Sequence, residues 1–287
     1  MKKVTFYFLM ILIIGLGVTL PSMAWTVAPV RFEVEGERAK EYTFAFSVLN
    51  ESQLYEKRFE VQTDDWIIDK DNNFLRKAFN KEVENNYSSS SWIKVTPQNF
   101  VVPPGETKKI RFTVSIPENL PGDGEYSAGI FVGEKNIEKP PAGEKIIHIK
   151  QDTYIGVVVY VKVGDEKPSV TLKDLKVDLK ITEEGNHVVL LPSYENSGNV
   201  HTRANLTVKM ESASGDEKTK EFQAGELVVL RNSEVAFPIT IPESLPKGSE
   251  WNFIISADFG KSNPVLVGRK IYKIPDISTV DKKASKY

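Results

Sequence analysis

The segment SIPENLP at Ser115–Pro121 returns almost unchanged as TIPESLP at Thr240–Pro246. Each copy follows a stretch in which apolar side chains alternate, Ile110–Val114 and Val235–Ile239. The two copies lie about 125 residues apart, which is close to the length of one β-sandwich domain. The repeat therefore predicts two related sandwiches in tandem.

Almost every periodic segment of the chain alternates every second residue, which is typical of half-buried β-strands. Turns rich in Gly, Pro, Asn and Asp separate these segments. The candidate strands are residues 27–34, 42–49, 58–63, 92–95, 110–116, 126–132, 146–163, 170–181, 187–194, 203–211, 221–224, 235–241, 252–258 and 265–274. We predict an all-β protein of two tandem immunoglobulin-like β-sandwich domains after a signal peptide. The predicted bounds are 1–24 for the signal peptide, 25–165 and 166–275 for the sandwiches, and 276–287 for a disordered tail.

Residues 1–24 have the pattern of an export signal. Lys2 and Lys3 precede the apolar run Val4–Leu20, and Ser22 and Ala24 are small residues at the spacing of a cleavage site. An uncleaved membrane anchor is the alternative, because a run of about 17 apolar residues approaches the lower limit for spanning a bilayer. Cleavage after Ala24 is the preferred interpretation. It predicts an exported protein without stable membrane insertion, in the periplasm or otherwise at the cell surface or secreted.

The composition argues against several classes of function. Cleavage would leave 35 of the 37 basic residues against 39 acidic ones, a formal charge of −4 that does not suit nucleic-acid binding. The absence of Cys excludes thiol catalysis and thiolate zinc sites. His148, His187 and His201 are scattered, and no Gly-x-Ser-x-Gly elbow accompanies them. We therefore predict a protein that is not an enzyme and that uses no cofactor and no metal.

Two polar segments lie between candidate strands. Asp69–Asn73 is similar to the start of a calcium loop, but Phe74 stands where the loop requires Gly, so a hairpin turn is preferred. Phe79–Ser91 is rich in Asn and Ser and is interpreted as a mobile insertion.

The long segment Ile147–Val163 is the principal candidate for binding. Its apolar side chains of one parity are Ile147, Ile149, Ile155, Val157, Val159 and Val161. One interpretation is a central strand that is covered on both faces. The other is an exposed edge whose alternating side chains fill a partner's groove by β-strand addition.

Arg31 is the second candidate, because it falls within the apolar first strand. A charged side chain there is costly unless it is paired or faces solvent or a cleft. It is either a solvent-side residue of an alternating strand or an anchor for a carboxylate, which the planar guanidinium binds through two hydrogen bonds.

The order of several landmarks resembles the N-terminal domain of periplasmic pilus-assembly chaperones of the PapD type. The landmarks are Pro29–Phe32, the strand that ends at Asn50, Asp65–Ile67, Phe100–Thr107, Leu120–Ser127, and Gln151–Val161 at the place of the donor strand. The resemblance covers roughly residues 25–163 and implies two immunoglobulin-like domains that cap secreted subunits by lending them a strand. It also implies that Arg31 is half of a carboxylate anchor. The lysine of that anchor has no match in Tyr154–Val158, and Gly124 stands where the family has an arginine.

A second resemblance is to the two-domain proteins associated with WxL cell-wall proteins, through Gly124–Phe131 and Leu172–Val177. The leading hypothesis is an extracytoplasmic chaperone-like protein that binds secreted surface or pilus subunits by strand donation. The alternative is a cell-envelope adhesion or scaffold protein that binds a surface partner through its loops, with Phe79–Ser91 and Trp251 as contacts.

Overall fold

The computed structural model describes residues 25–69, 71–77, 87–135, 153–182, 185–215, 218–260 and 264–276. The predicted signal peptide, the first part of the predicted insertion and nearly all of the predicted tail lie outside these ranges. A 3₁₀ turn spans Ser90–Trp92. The strands are β1 (Trp25–Ala28), β2 (Arg31–Glu35), β3 (Glu41–Asn50), β4 (Lys57–Ile68), β5 (Phe74–Lys77), β6 (Ile93–Thr96), β7 (Asn99–Val102), β8 (Thr107–Ser115), β9 (Gly124–Glu134), β10 (Tyr154–Val163), β11 (Val170–Thr182), β12 (Gly185–Asn196), β13 (Thr202–Ser212), β14 (Lys220–Val229), β15 (Ser233–Ala236), β16 (Ile239–Thr240), β17 (Glu250–Asp258) and β18 (Leu266–Lys273).

The strands form two β-sandwiches, so the predicted all-β fold class is confirmed. In the first sandwich, one sheet has the order β1-β3-β8-β6 and the other has the order β2-β10-β9-β4-β5, with β7 beside β4. In the second, the order β11-β12-β15, with β16 beside β12, faces the order β14-β13-β17-β18. Strands β2 and β10 run parallel to each other, and the other paired strands are antiparallel.

Each sandwich has its own core, which alternating side chains supply from both sheets. Ile110 and Phe112 of β8 are buried in the first core. Trp251, Phe253 and Ile255 of β17 are buried in the second core. Burial of such large apolar side chains is the main term that stabilises a sandwich. Trp251 is fully buried, so the prediction that it contacts a surface partner is wrong.

The repeated segments occupy matching places in the two sandwiches. Ile116 and Ile241 are both buried, one in each core. The amide of Ile116 donates to the carbonyl of Lys40, and the amide of Ile241 donates to the carbonyl of Val188. The same short motif therefore closes the end of each core in the same way.

A buried asparagine ends one strand in each sandwich. Asn50 donates from Nδ2 to the carbonyl of Val102 at 3.0 Å and accepts at Oδ1 from the amide of Ser52. Asn196 donates to the carbonyl of Val229 at 3.1 Å and accepts from the amide of Gly198 at 2.8 Å. These bonds satisfy backbone groups where strands end, which a buried chain requires.

Two predicted strands are each broken at a proline. Residues 27–34 divide at Pro29, because β1 pairs with β3 in one sheet whereas β2 pairs with β10 in the other. Residues 235–241 divide at Pro238, which cannot donate to a ladder. Strands β5 and β7 were not among the candidates. The Asp69 segment is the hairpin turn between β4 and β5, since its carboxylate accepts from the amide of Asn73 at 2.8 Å.

Candidate functional site

Strand β10 has neighbours of unequal length on its two sides. Strand β9 pairs with it over its full length, from Tyr154 to Val163. Strand β2 pairs with it only from Val158 to Lys162. Among the described residues, no strand lies beside 154–157 on the β2 side. The predicted edge over the whole long segment is therefore wrong at Val158–Lys162. The four residues 154–157, which we call the open edge, have no partner on that side among the described strands.

The hydrogen bonds between β10 and the β2 segment show which backbone groups of β10 face the open edge. The amide of Val158 donates to the carbonyl of Val30, and the carbonyl of Lys162 accepts from the amide of Gly36, both at 2.9 Å. Residues of one parity turn their backbone groups to the same side of a strand. Tyr154 and Gly156 share that parity, so their backbone groups are directed to the open side. Unpaired groups of this kind are the template for adding a strand.

The side chains predicted to enter a partner's groove lie elsewhere. Val157, Val159 and Val161 are fully buried in the core of their own sandwich, so the prediction for these three is wrong. The alternating apolar side chains that suggested binding in a partner's groove instead pack into the core of the protein's own sandwich. Ile155 is half-buried against the same core. Ile147 and Ile149 lie outside the described residues.

An aromatic patch covers the outer face of the same sheet beside the open edge. It consists of Trp66, Phe131 and Tyr160, which are buried together, and Phe74, which stacks on Trp66 with ring centroids 5.0 Å apart. The Arg76 guanidinium lies over the Phe131 ring at 4.7 Å. Phe74 is 48% exposed, so the patch reaches solvent at the β5 hairpin.

Arg31 lies on β2 and approaches Glu33, which Arg203 of the second sandwich also approaches. Arg31 is exposed and lies beside Val158, where the open edge ends. Its Nε is 3.8 Å from Oε1 of Glu33, and Nε of Arg203 approaches that same oxygen at 3.9 Å. Lys162 approaches the other carboxylate oxygen at 3.7 Å. The role of Arg31 as an anchor stays a prediction.

Sequence reasoning did not identify Arg203, which lies on β13 of the second sandwich. Its Nη1 is 3.1 Å from Oε2 of Glu226, and its Nη2 donates to the Tyr160 hydroxyl at 3.3 Å. Its only sequence signal was a charged residue on an otherwise alternating strand, which is commonplace on a solvent face.

A buried pair, Glu125 of the first sandwich and His201 of the second, joins the sandwiches next to Tyr160. Glu125 is 3% exposed, and its carboxylate contacts Nδ1 of His201. The His201 ring stacks on Tyr160 with centroids 3.9 Å apart. Arg231 donates to the backbone carbonyl of Glu125 at 3.0 Å. His201 is therefore part of the junction between the sandwiches.

Backbone contacts complete the junction. The amide of Glu125 donates to the carbonyl of Asn199 at 2.8 Å. The Asn199 side chain donates to the carbonyls of Asp123 and Asp165 at 3.2 and 2.8 Å. Gly124 has φ +117°, and a Cβ there would lie 2.4 Å from the Asn199 oxygen. Glycine is thus required where the resemblance implied an arginine.

The predicted insertion is packed at its end. Ser88 and Ser90 donate to Asp65 at 2.5 and 2.6 Å, and the Arg231 guanidinium lies 3.6 Å from the centroid of the Tyr87 ring. The prediction of a mobile segment is therefore wrong for Tyr87–Ser91. Within the described part of the chain, no group of three His, Cys, Asp or Glu residues could hold a metal ion, and no helix is long and apolar enough to cross a membrane.

We expect stability to fall at high pH because of Tyr160. Burial raises the pKa of its phenol, and Arg203 offsets this only in part. The unfolded phenol ionises near pH 10, whereas the folded one stays protonated to higher pH. The contribution of Tyr160 to the free energy of unfolding is therefore fully present below about pH 10. It falls above that pH, by up to about 1.4 kcal/mol per pH unit. Urea unfolding at pH 8 and pH 11 checks this. Tyr160→Phe should show a smaller loss, and an equal loss in both proteins would contradict the assignment.

No protein-family model matches the chain, and no curated protein sequence matches it. Solved structures of fimbrial chaperones are similar to it. A chain of the chaperone–tip adhesin complex of CFA/I fimbriae biogenesis is 12% identical, with a TM-score of 0.42 over 86% of this chain and 98% of that one. The class 5 fimbriae chaperone CfaA is 11% identical, with a TM-score of 0.41 over 87% and 100%. A chain of the CsuC–CsuE chaperone–tip adhesion subunit pre-assembly complex from the archaic Csu pili of Acinetobacter baumannii is 17% identical, with a TM-score of 0.39 over 75% and 89%.

Proposed function

We propose that the protein is an exported, non-enzymatic chaperone-like protein that binds secreted surface or pilus subunits by pairing one of their strands with β10. The observation that carries the proposal is the open edge at Tyr154–Val157, beside which the described residues provide no strand. A partner strand would take its hydrogen bonds from the backbone of Tyr154 and Gly156. Main-chain pairing of this kind gives affinity that does not depend on the partner's exact sequence.

Arg31 would orient the end of the partner strand. Strand β2 and an added strand would lie on the same side of β10, one after the other, because β2 begins to pair only at Val158. An added strand that runs parallel to β10 would end next to Arg31. Its terminal carboxylate would then meet an exposed guanidinium, a favourable charged hydrogen-bonding partner.

The aromatic patch would supply a second contact surface. Tyr154 is half-buried on the outer face, where the Arg76 guanidinium lies 4.7 Å from the centroid of its ring. A partner strand beside Tyr154 would place alternate side chains against this face. Ile147 and Ile149 remain proposed groove-filling residues on the segment that precedes the open edge.

Replacing Gly156 by proline is expected to abolish partner capture, with at least a roughly tenfold loss of affinity. The Gly156 amide is directed to the open side, so proline removes a donor to the partner and leaves the pairing with β9 intact. The test is affinity purification of the tagged mature protein from the native envelope fraction, with mass spectrometry of proteins that co-elute.

Gly156→Ala is the matched control, because alanine keeps the amide. Its Cβ would lie 3.3 Å from Phe131 Cε1, which a small ring shift relieves. We expect the alanine variant to capture the same secreted β-protein as the unchanged chain. Capture by the folded proline variant at an unchanged level would refute strand addition. In that case, crosslinking from a photoreactive residue at the exposed Tyr55 would test binding through the loops.

A further inference from the structure

Strand β18 is an edge strand of the second sandwich, and one side of its backbone has no partner strand among the described residues. It ends the sheet order β14-β13-β17-β18. Just beyond it, the amide of Ile274 donates to the carbonyl of Ser249 at 2.8 Å, so residues of this parity turn their backbone groups toward β17. The residues that turn theirs to the unpaired side, which we call the β18 edge, are Val267, Arg269, Ile271 and Lys273. A row of unpaired amides and carbonyls can accept another strand.

The side chains of the same four residues lie on the outer face of the sheet. Leu266 and Tyr272 pack against the second core, so the side chains that alternate with them point to solvent. Val267 is 51% exposed, and Ile271, at 64%, is the most exposed large apolar side chain in the described part of the chain. A strand that paired here would cover both, and burial of apolar surface favours such pairing.

The opposite edge of this sheet, at β14, is irregular. Its pairing with β13 shifts in register between Leu206 and Thr207, and Gly225 of β14 has φ +119° at that place. Bulges of this kind protect an edge from pairing. The register of β17 with β18 runs without a shift from Lys273 to Leu266. The β18 edge therefore keeps the regular geometry that an added strand needs.

Positive charges are in excess along the β18 edge. Arg269, Lys270 and Lys273 are exposed, and none of them forms an ion pair with a described carboxylate. Glu250 of β17 is the register partner of Lys273 and offsets one charge. Three cations and one acid leave an excess of two positive charges in this stretch.

The nearby acids on other strands are already paired. Glu211 of β13 lies 2.7 Å from Lys209. The hydrogen bond from Lys209 is the main cause that lowers the pKa of the Glu211 carboxyl, and the charge of Arg269 is the smallest. On β11, which packs beside β18, Asp174 lies 3.8 Å from Lys176. The excess at the β18 edge is therefore left for a partner to balance.

These charges decide the kind of partner. An antiparallel pair of two β18 strands would bring three cations from each copy together, and like charges across a strand pair are unfavourable, so a second copy does not fit. We propose that the β18 edge binds an extended acidic segment of another polypeptide by strand addition. On its outer face, this segment has acidic residues opposite Arg269 and Lys273 and apolar residues opposite Val267 and Ile271. The surface is separate from the open edge of β10, so the inference does not depend on the proposed function.

Hydrogen exchange of the mature protein with two synthetic peptides tests the proposal. One peptide has nine residues, threonine at the odd positions and glutamate, valine, glutamate and valine at the even positions, which suits addition antiparallel to β18. The other has lysine in place of glutamate. The amides of the β18 edge are expected to exchange quickly in the free protein and to be protected by the glutamate peptide. The amides of Gly268 and Lys270, which face β17, should exchange slowly in every sample. We expect the glutamate peptide to bind at least about tenfold more tightly than the lysine peptide.

Arg269→Gln removes one charge of the β18 edge and is expected to weaken binding of the glutamate peptide about threefold. The matched control is Lys94→Gln, the same loss of charge at an exposed position of β6, an edge strand of the first sandwich, and it should leave the affinity unchanged. Equal binding of the two peptides, or an equal loss in the two variants, would overturn the proposal. Protection of Tyr154 and Gly156 in place of the β18 amides would also overturn it, because the peptide would then lie on the open edge of β10. So would protection of the β18 amides that rises with protein concentration without peptide, since a second copy would then occupy the edge.

Discussion

Replacing Val159 by aspartate is expected to unfold the first sandwich. Val159 is fully buried between the two sheets of that sandwich, at the centre of β10. A carboxylate at this place would have no described polar partner to receive it and would lose its hydration. Burying an unpaired charge costs more than about 4 kcal/mol, which is a large part of the stability of a single domain.

Val101→Asp is the matched control, because it makes the same chemical change on an exposed strand position. Val101 lies on β7 and is 36% exposed. We expect its free energy of unfolding, measured by urea denaturation, to stay within about 0.5 kcal/mol of that of the unchanged protein. Tryptophan fluorescence and circular dichroism would follow both variants. A cooperative, unshifted transition in Val159→Asp would contradict the placement of β10 in the core.

This result bears on how binding by β10 has to be tested. Charged substitutions at Val157 or Val159 would remove binding by unfolding the sandwich, whether or not β10 meets a partner. Substitutions at Gly156 leave the inner core of the sandwich unchanged, because its backbone groups are directed away from β9 and an added Cβ meets the rings of Phe131 and Phe74 on the outer face. The functional experiment therefore belongs at the start of the strand.

Much of the fold could be predicted from local patterns. The repeat that includes Ile116 and Ile241 indicated two equivalent modules, and both residues close a core. Period-two alternation identified most strands because each sheet has one face on a core. The same rule could have placed Trp251 inside, since it shares its parity with Phe253 and Ile255, both of which are buried.

The features that the sequence did not predict depend on pairing between distant segments. The switch of the chain from one sheet to the other at Pro29 puts β2 beside β10, and β2 covers Val158–Lys162, half of that strand. Apolar alternation alone cannot tell a strand with two neighbours from a strand with one. The extent of the open edge could therefore be read only from the register of β2.

The charged cluster around Glu33 was predicted only in part for the same reason. Arg31 was conspicuous because it is a charge in an apolar segment. Glu33, Lys162 and Arg203 are ordinary surface charges in the sequence, and they become a cluster only because the second sandwich lies against the first. Their contacts join β2 with β10 and β13, and no local pattern records such contacts.

Replacing Gly124 by alanine is expected to loosen the junction that brings these groups together. Gly124 has φ +117°, which is costly for any residue with a Cβ, and its new methyl group would collide with the Asn199 carbonyl at 2.4 Å. That carbonyl accepts a hydrogen bond from the amide of Glu125. A shift that relieves the collision therefore breaks a hydrogen bond between the sandwiches. We expect the free energy that holds the two sandwiches together to fall by about 3 kcal/mol.

Hydrogen exchange of peptides that contain Glu125 and Asn199 would measure this loss, because both amides donate hydrogen bonds at the junction. Gly122→Ala is the matched control, since a Cβ at Gly122 would meet no atom within 4 Å. Faster exchange in Gly124→Ala alone, with the core strands still protected, would mean that the junction opens while both sandwiches stay folded. Unchanged exchange at both peptides would contradict the view that Gly124 holds the sandwiches in register.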